Sequence, residues 1–255
     1  MRGHTSRGGY PRLGILLCLA CLLGAACGPV PTVDAPAAPQ PILVAYRPAV
    51  QPMLARLQAC GANEPSIALY AQPNVRPLAE IKADIILTLG DDGLQETSYT
   101  ATLLGEERLV VIVNANNLVA RMTGQELQAI YSAETSTWQT NRPDTEIRAW
   151  TYTSQEGPRG VFESAVMGTA ASSGRVLLAA DPQVMLEAVA GSANAIGYLP
   201  AAWLQPGAND QAALIHTIQL DESLADQMAM PILALTTREP GDLIRELLLC
   251  SQGQE

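Results

Sequence analysis

The residue types that carry metal and nucleophilic chemistry are scarce in this chain. It has only two histidines, His4 and His216, and beyond residue 27 its cysteines form no CxxC pair. A zinc centre draws its ligands from clustered Cys, His and acidic residues, so a metal site is not expected. No nucleophile-elbow motif occurs, and no histidine is placed to complete a triad. His216 alone reads as a structural histidine. The paired carboxylates Asp91-Asp92 and Glu106-Glu107 fall in segments that read as turns and are expected to be solvated. Neither catalysis nor a cofactor is expected.

Residues 1–27 indicate export. Arg2, Arg7 and Arg12 precede an apolar run from Leu13 to Leu23, followed by Gly24-Ala25-Ala26-Cys27. A basic head, a short apolar core and small residues make a secretory signal. The run is shorter than the roughly 20 apolar residues of a spanning helix. Small residues directly before Cys27 resemble the lipobox of bacterial lipoproteins, with Leu23 one place further from the cysteine than usual. On that resemblance Cys27 is acylated and anchors the chain to the membrane. An ordinary cleaved signal with an incidental cysteine is the competing reading. Residues 28–40 carry Pro29, Pro31, Pro36 and Pro39, which favour an extended tether.

Removing residues 1–27 leaves 228, enough for one large domain or two lobes. Twelve basic residues then face 25 acidic ones, a net charge of −13. Such an acidic chain is an improbable partner for nucleic acid. It also lacks a polybasic patch for anionic lipid. Beyond Cys27 only Cys60 and Cys250 remain, each at the end of an expected helix (Val50 to Cys60 and Gly241 to Cys250). An oxidising compartment allows them to pair. Two buried free thiols fit the sequence equally well, because disulfide geometry is restrictive.

These residues sit in an alternation of strands and helices. ILVAY (42–46), SIALYA (66–71), ADIILTL (83–89) and LVVIVN (109–114) read as strands, with helices over 50–60 and 77–82. That order indicates an α/β domain with parallel strands. Thr123 and Glu126 form a capping box ahead of Leu127, Ile130 and Tyr131. EIRAWTY (146–152) reads as a strand. Pro158 to Gly168 and Asp181 to Gly191 read as helices that open on Pro158 and Pro182 and close on glycine. AIGYL (195–199), LIHTIQL (214–220) and PILALTT (231–237) are further expected strands.

Several blocks fall in order over some 200 residues. NANNLVARMTGQELQAIYSAETSTWQ (114–139), EGPRGVFESAVMG (156–168), ANAIGYL (193–199) and MPILALTTREPGDLIRELLLCSQGQ (230–254) resemble the phosphate-type extracytoplasmic solute-binding proteins of ABC transporters. These belong to the type II periplasmic binding protein class. The resemblance implies two α/β lobes with a ligand cleft between them. Lobe 1 would hold 41–110 and 220–255, and lobe 2 would hold 111–219. Cys60 and Cys250 then share a lobe, which favours a disulfide. It also implies a monomer that captures a small anion, phosphate or another oxyanion, for an ABC permease.

The ligand loops implied by the resemblance are altered here. The first reads Tyr46-Arg47-Pro48-Ala49 and has no hydroxyl cluster, leaving Arg47 to supply charge and a bidentate fork. The second offers Thr88 and Asp91. In the third, the family's Ser-Gly-Thr-Arg becomes Glu156-Gly157-Pro158-Arg159. Gly157 and Arg159 survive, Pro158 removes a backbone donor, and Thr153 and Ser154 stand just upstream as substitutes. Arg159 alternatively pairs with Glu163 along the helix. A binding-protein fold that has lost phosphate and serves as a sensor or partner-binding module is the second reading.

Overall fold

The first strand, β1 (Gln40–Tyr46), is the ILVAY run with two added residues, and it buries Ile42, Val44 and Ala45. The structure is a computed structural model that describes residues 38–91, 94, 98–139, 146–153, 157–206 and 209–253. The signal, Cys27 and most of the tether lie outside these, as do Asp92, Ser154 and Glu156. A 3₁₀ turn at Pro48–Val50 leads from β1 into α1 (Gln51–Ala62), which buries Leu54, Leu57 and Cys60 on one face. β2 (Ile67–Pro73) and β3 (Ile85–Leu89) pair with β1 in parallel, Val44 lying between Ala71 and Ile85. β3 is buried at every position, as a continuous apolar run predicts for a strand covered on both faces. The expected helix over 77–82 is a single 3₁₀ turn, Leu78–Glu80.

The strand expected at 109–114 is only the end of a far longer one. β4 runs from Thr100 to Asn114 and turns the Glu106-Glu107 "turn" into strand. Its first part, which ends in the consecutive charges Glu106, Glu107 and Arg108, pairs antiparallel with β9 (Ala229–Thr236), with a bulge between Leu103 and Gly105. Its second part pairs antiparallel with β7 (Ala195–Pro200) and with β8 (Ile215–Thr217). Strand alternation sends Glu106 outward, beside Arg108, and Glu107 inward, where it is buried. The expectation that both carboxylates are solvated therefore fails at Glu107. Its oxygens accept hydrogen bonds from the backbone N–H groups of Arg108 (2.8 Å) and Ala202 (3.3 Å).

The remaining elements follow their capping signals. α2 (Gly124–Tyr131) opens on the Thr123–Glu126 capping box, with both reciprocal bonds formed. β5 (Arg148–Tyr152) precedes α3 (Pro158–Phe162), which continues as a π-helical turn at Glu163–Met167 and stops at Gly168, φ +57°. β6 (Leu177–Ala179) leads into α4 (Pro182–Ala190), capped by the Asp181 side chain. α5 (Glu222–Gln227) and α6 (Asp242–Gln252) flank β9 in the chain. The 214–220 segment is strand only over Ile215–Thr217.

The strands form one sheet in the order β2-β1-β3-β9-β4-β7-β5-β6, with β8 beside β4. Parallel pairing at both ends is joined through antiparallel β4 and β9. The result is a two-lobed α/β fold, with the crossing made by the longest strand. Cys60 in α1 and Cys250 in α6 are disulfide-bonded, their Cα atoms 5.9 Å apart. In the other lobe Phe162 stacks on Tyr198 at 3.9 Å between centroids, and Tyr131 and Tyr152 complete the cluster.

Burial pushes the Glu107 carboxyl above the usual range, outweighing the backbone hydrogen bonds that favour its ionised form. Between the unfolded and folded pKa values the folded state binds more protons, so stability falls as pH rises through that window. Urea unfolding from pH 4 to 8 should show this fall in the wild type and a flatter profile in Glu107→Gln. Parallel profiles would show that another group titrates.

Candidate functional site

A cavity of about 90 Å³ opens at the carboxyl ends of β1, β3, β5 and β6. That is several times the space one water molecule needs. Ligands in α/β folds gather at such strand ends, where chain leaves the sheet and helices begin. From one lobe Arg47, Pro48, Ala49, Val75, Leu78, Thr88 and Leu89 line it. From the other come Tyr152, Gly157, Pro158, Ala180, Asp181 and Pro182.

Arg47 stands directly after β1, and its backbone N–H donates to Leu87 O at 2.9 Å, which ties the loop to β3. Its guanidinium donates to Arg76 O at 2.7 Å and Asn74 O at 3.4 Å. The two carbonyls hold the cation at the cavity wall. Thr88 is buried near the end of β3, its hydroxyl 3.5 Å from Leu89 O.

Gly157 faces this wall from the other lobe. Its φ of +61° with ψ −122° is a conformation that L side chains rarely adopt. An added Cβ would lie 3.2 Å from Leu89 O, so the two lobes approach closely here. Asp181 caps α4, its Oδ1 accepting from Val184 N–H at 2.9 Å.

The structure thus brings Arg47, Thr88 and Gly157 together, three of the residues marked from sequence. Arg159 is absent from the lining. Its Nε donates to Glu163 Oε1 at 2.8 Å and its Nη1 to Tyr152 O at 2.9 Å. That is the intrahelical pairing held as the alternative, and it braces the loop carrying Gly157. Thr153 is exposed, its N–H bonded to Ala179 O at 2.9 Å, and it does not line the cavity. Ser154 lies outside the described residues.

Tyr152 and Asp181 are lining residues that sequence reasoning did not place in the cleft. The signal was present for Asp181: Arg47-Pro48, Gly157-Pro158 and Asp181-Pro182 are three helical starts of one pattern. Tyr152 turns its hydroxyl inward to donate to Tyr198 O at 2.9 Å, and burial pushes its phenol well above the usual range. Tyr198 is pushed up likewise by burial, while its hydroxyl shares a 2.6 Å hydrogen bond with Thr151. Both phenols stay neutral, as floor and support rather than charge. His216 Nε2 lies 3.0 Å from Val119 O, far along the chain from the cavity-lining residues. Among the described residues no group of three or more His, Cys, Asp or Glu could hold a metal.

Solved structures share this architecture. One from Clostridium perfringens, assigned as a phosphate ABC transporter substrate-binding protein and holding phosphate, superposes with a TM-score of 0.69 at 16% identity, covering 83% of this chain and 92% of that one. An ABC-type phosphate transport receptor from Vibrio cholerae gives a TM-score of 0.58 at 20% identity over 84% and 94%. The reduced form of OxyR from N. meningitidis gives 0.61 at 17% over 84% and 95%. At these identities the likeness is one of fold. No curated protein sequence matches the chain. A family model described as a PBP superfamily domain matches residues 76–243. With that match spanning most of the chain and the two-lobed sheet around a strand-end cleft, this protein belongs to the PBP superfamily.

Proposed function

We propose that this protein is an extracytoplasmic solute-binding lipoprotein that captures a small anion for an ABC transporter. The observation that carries this reading is the cavity between strand ends of both lobes, with Arg47 at its wall. A cation presented by main-chain carbonyls is pre-organised for a carboxylate or oxyanion. The phosphate proteins named above make phosphate the first anion to test. Cys27, acylated after signal cleavage, would anchor the chain, and residues 28–40 would hold the domain off the membrane near its permease.

Calorimetric titration of the full-length chain in detergent, against phosphate, sulfate, molybdate and small organic anions, tests the reading. One anion class should saturate a single site. Arg47→Ala should raise its Kd at least about 30-fold, since losing one partner of a desolvated charge pair costs about 2–5 kcal/mol. A folded protein silent to every anion would overturn the reading and favour a partner-binding module.

A further inference from the structure

The inference that follows rests on the reading of the cavity as a solute site and names its ligand class. We propose that the cleft selects a small organic monoanion, a carboxylate on a short apolar body, over tetrahedral oxyanions.

A bare oxyanion taken out of water needs donors around most of its surface, or its desolvation goes unmatched. Helix starts supply such donors through the N–H groups of their first turn. Here three helical starts reach the cavity, and each places proline at its first position: Pro48, Pro158 and Pro182. Proline has no N–H, so each start presents a ring where an anion site presents a donor. Later donors in two of these turns are already engaged. Val50 N–H donates to Arg47 O at 3.0 Å, and Val184 N–H to Asp181 Oδ1 at 2.9 Å.

Apart from Arg47, Asp181 and Thr88, whose hydroxyl points to Leu89 O, the lining is largely hydrocarbon. The proline rings stand with Val75, Leu78 and Leu89. Among the lining residues Arg47 is the cation, its Nη1 held by Arg76 O and Asn74 O, and Asp181 lines the opposite wall. A second negative charge on the ligand would be repelled by Asp181. One carboxylate on Arg47, with a few carbons against proline and leucine, satisfies both parts of the wall.

The test uses the full-length chain in detergent, titrated with acetate, butyrate, valerate, phosphate and sulfate. Affinity should rise about three- to fourfold per methylene from acetate to butyrate. Butyrate should bind at least tenfold more tightly than phosphate or sulfate. The double variant Pro158→Ala/Pro182→Ala returns two backbone donors, and should raise the phosphate-to-butyrate affinity ratio about tenfold. Butyrate no tighter than phosphate in the wild type would overturn the inference while leaving the anion-capture reading in place. An unchanged ratio in a folded double variant would overturn the role given to the prolines. Silence to all five anions would overturn both.

Discussion

Replacing Cys60 and Cys250 by alanine should lower the free energy of unfolding by about 3–5 kcal/mol. The two residues are 190 positions apart, so their bond closes nearly the whole folded chain into a loop. The chain-entropy account assigns its largest stabilisation to such long loops, and losses in native packing bring measured values to the range given. The site is also structurally exposed to loss. α6 packs on α1, with Leu247 close to Gly61, and buries Leu247 and Leu248, while α1 buries Leu54, Leu57 and Cys60. Without the bond, α6 is free to fray from the C-terminus. Thermal unfolding with and without reductant checks this: the wild type should lose roughly 10 °C on reduction, and the double variant should not respond. A wild-type melt indifferent to complete reduction would show the bond to be energetically idle.

Gly157→Ala should strike stability and binding together. At φ +61° and ψ −122° a side chain costs on the order of 1–3 kcal/mol through backbone strain alone. The new methyl would also press on Leu89 O, 3.2 Å away on the facing wall. Backbone cannot yield as a flexible side chain can, so the two walls must separate. We expect a loss of about 1–3 kcal/mol in urea unfolding. Affinity for whichever anion binds should fall at least tenfold, because Arg47 and the second lobe would no longer close on the same ligand. A substitution in a surface loop would change neither. Normal affinity in a destabilised Gly157→Ala variant would show that the close approach is not part of the site.

Much of the local structure was legible in the residues. Thr123 with Glu126, and Asp181 with Pro182, set two helix starts that the structure reproduces bond for bond. β3 and the end of β4 were visible as apolar runs because both faces of those strands are covered. The first part of β4 was hidden, since Glu106, Glu107 and Arg108 read as turn until β9 is known to lie beside them. A half-buried strand carrying charges has no marked signature without its partner. The site was legible only in part for a related reason. Arg47, Thr88 and Gly157 reach the cavity, whereas Arg159 turns to Glu163 and Tyr152, and Asp181 arrives from a strand too short to recognise.

By itself the sequence determined the basic-then-apolar pattern of residues 1–27, the acidic balance, the caps and the helical starts at Pro158 and Pro182. Those features are decided within a few residues, by side-chain type, backbone freedom and the absence of an N–H on proline. Only the tertiary structure decided that Pro48, Pro158 and Pro182 line one cavity, that Cys60 meets Cys250, and that Glu107 is buried. Each of these depends on the order of strands across the sheet. That order is set by burial between segments far apart in the chain, which no local pattern records.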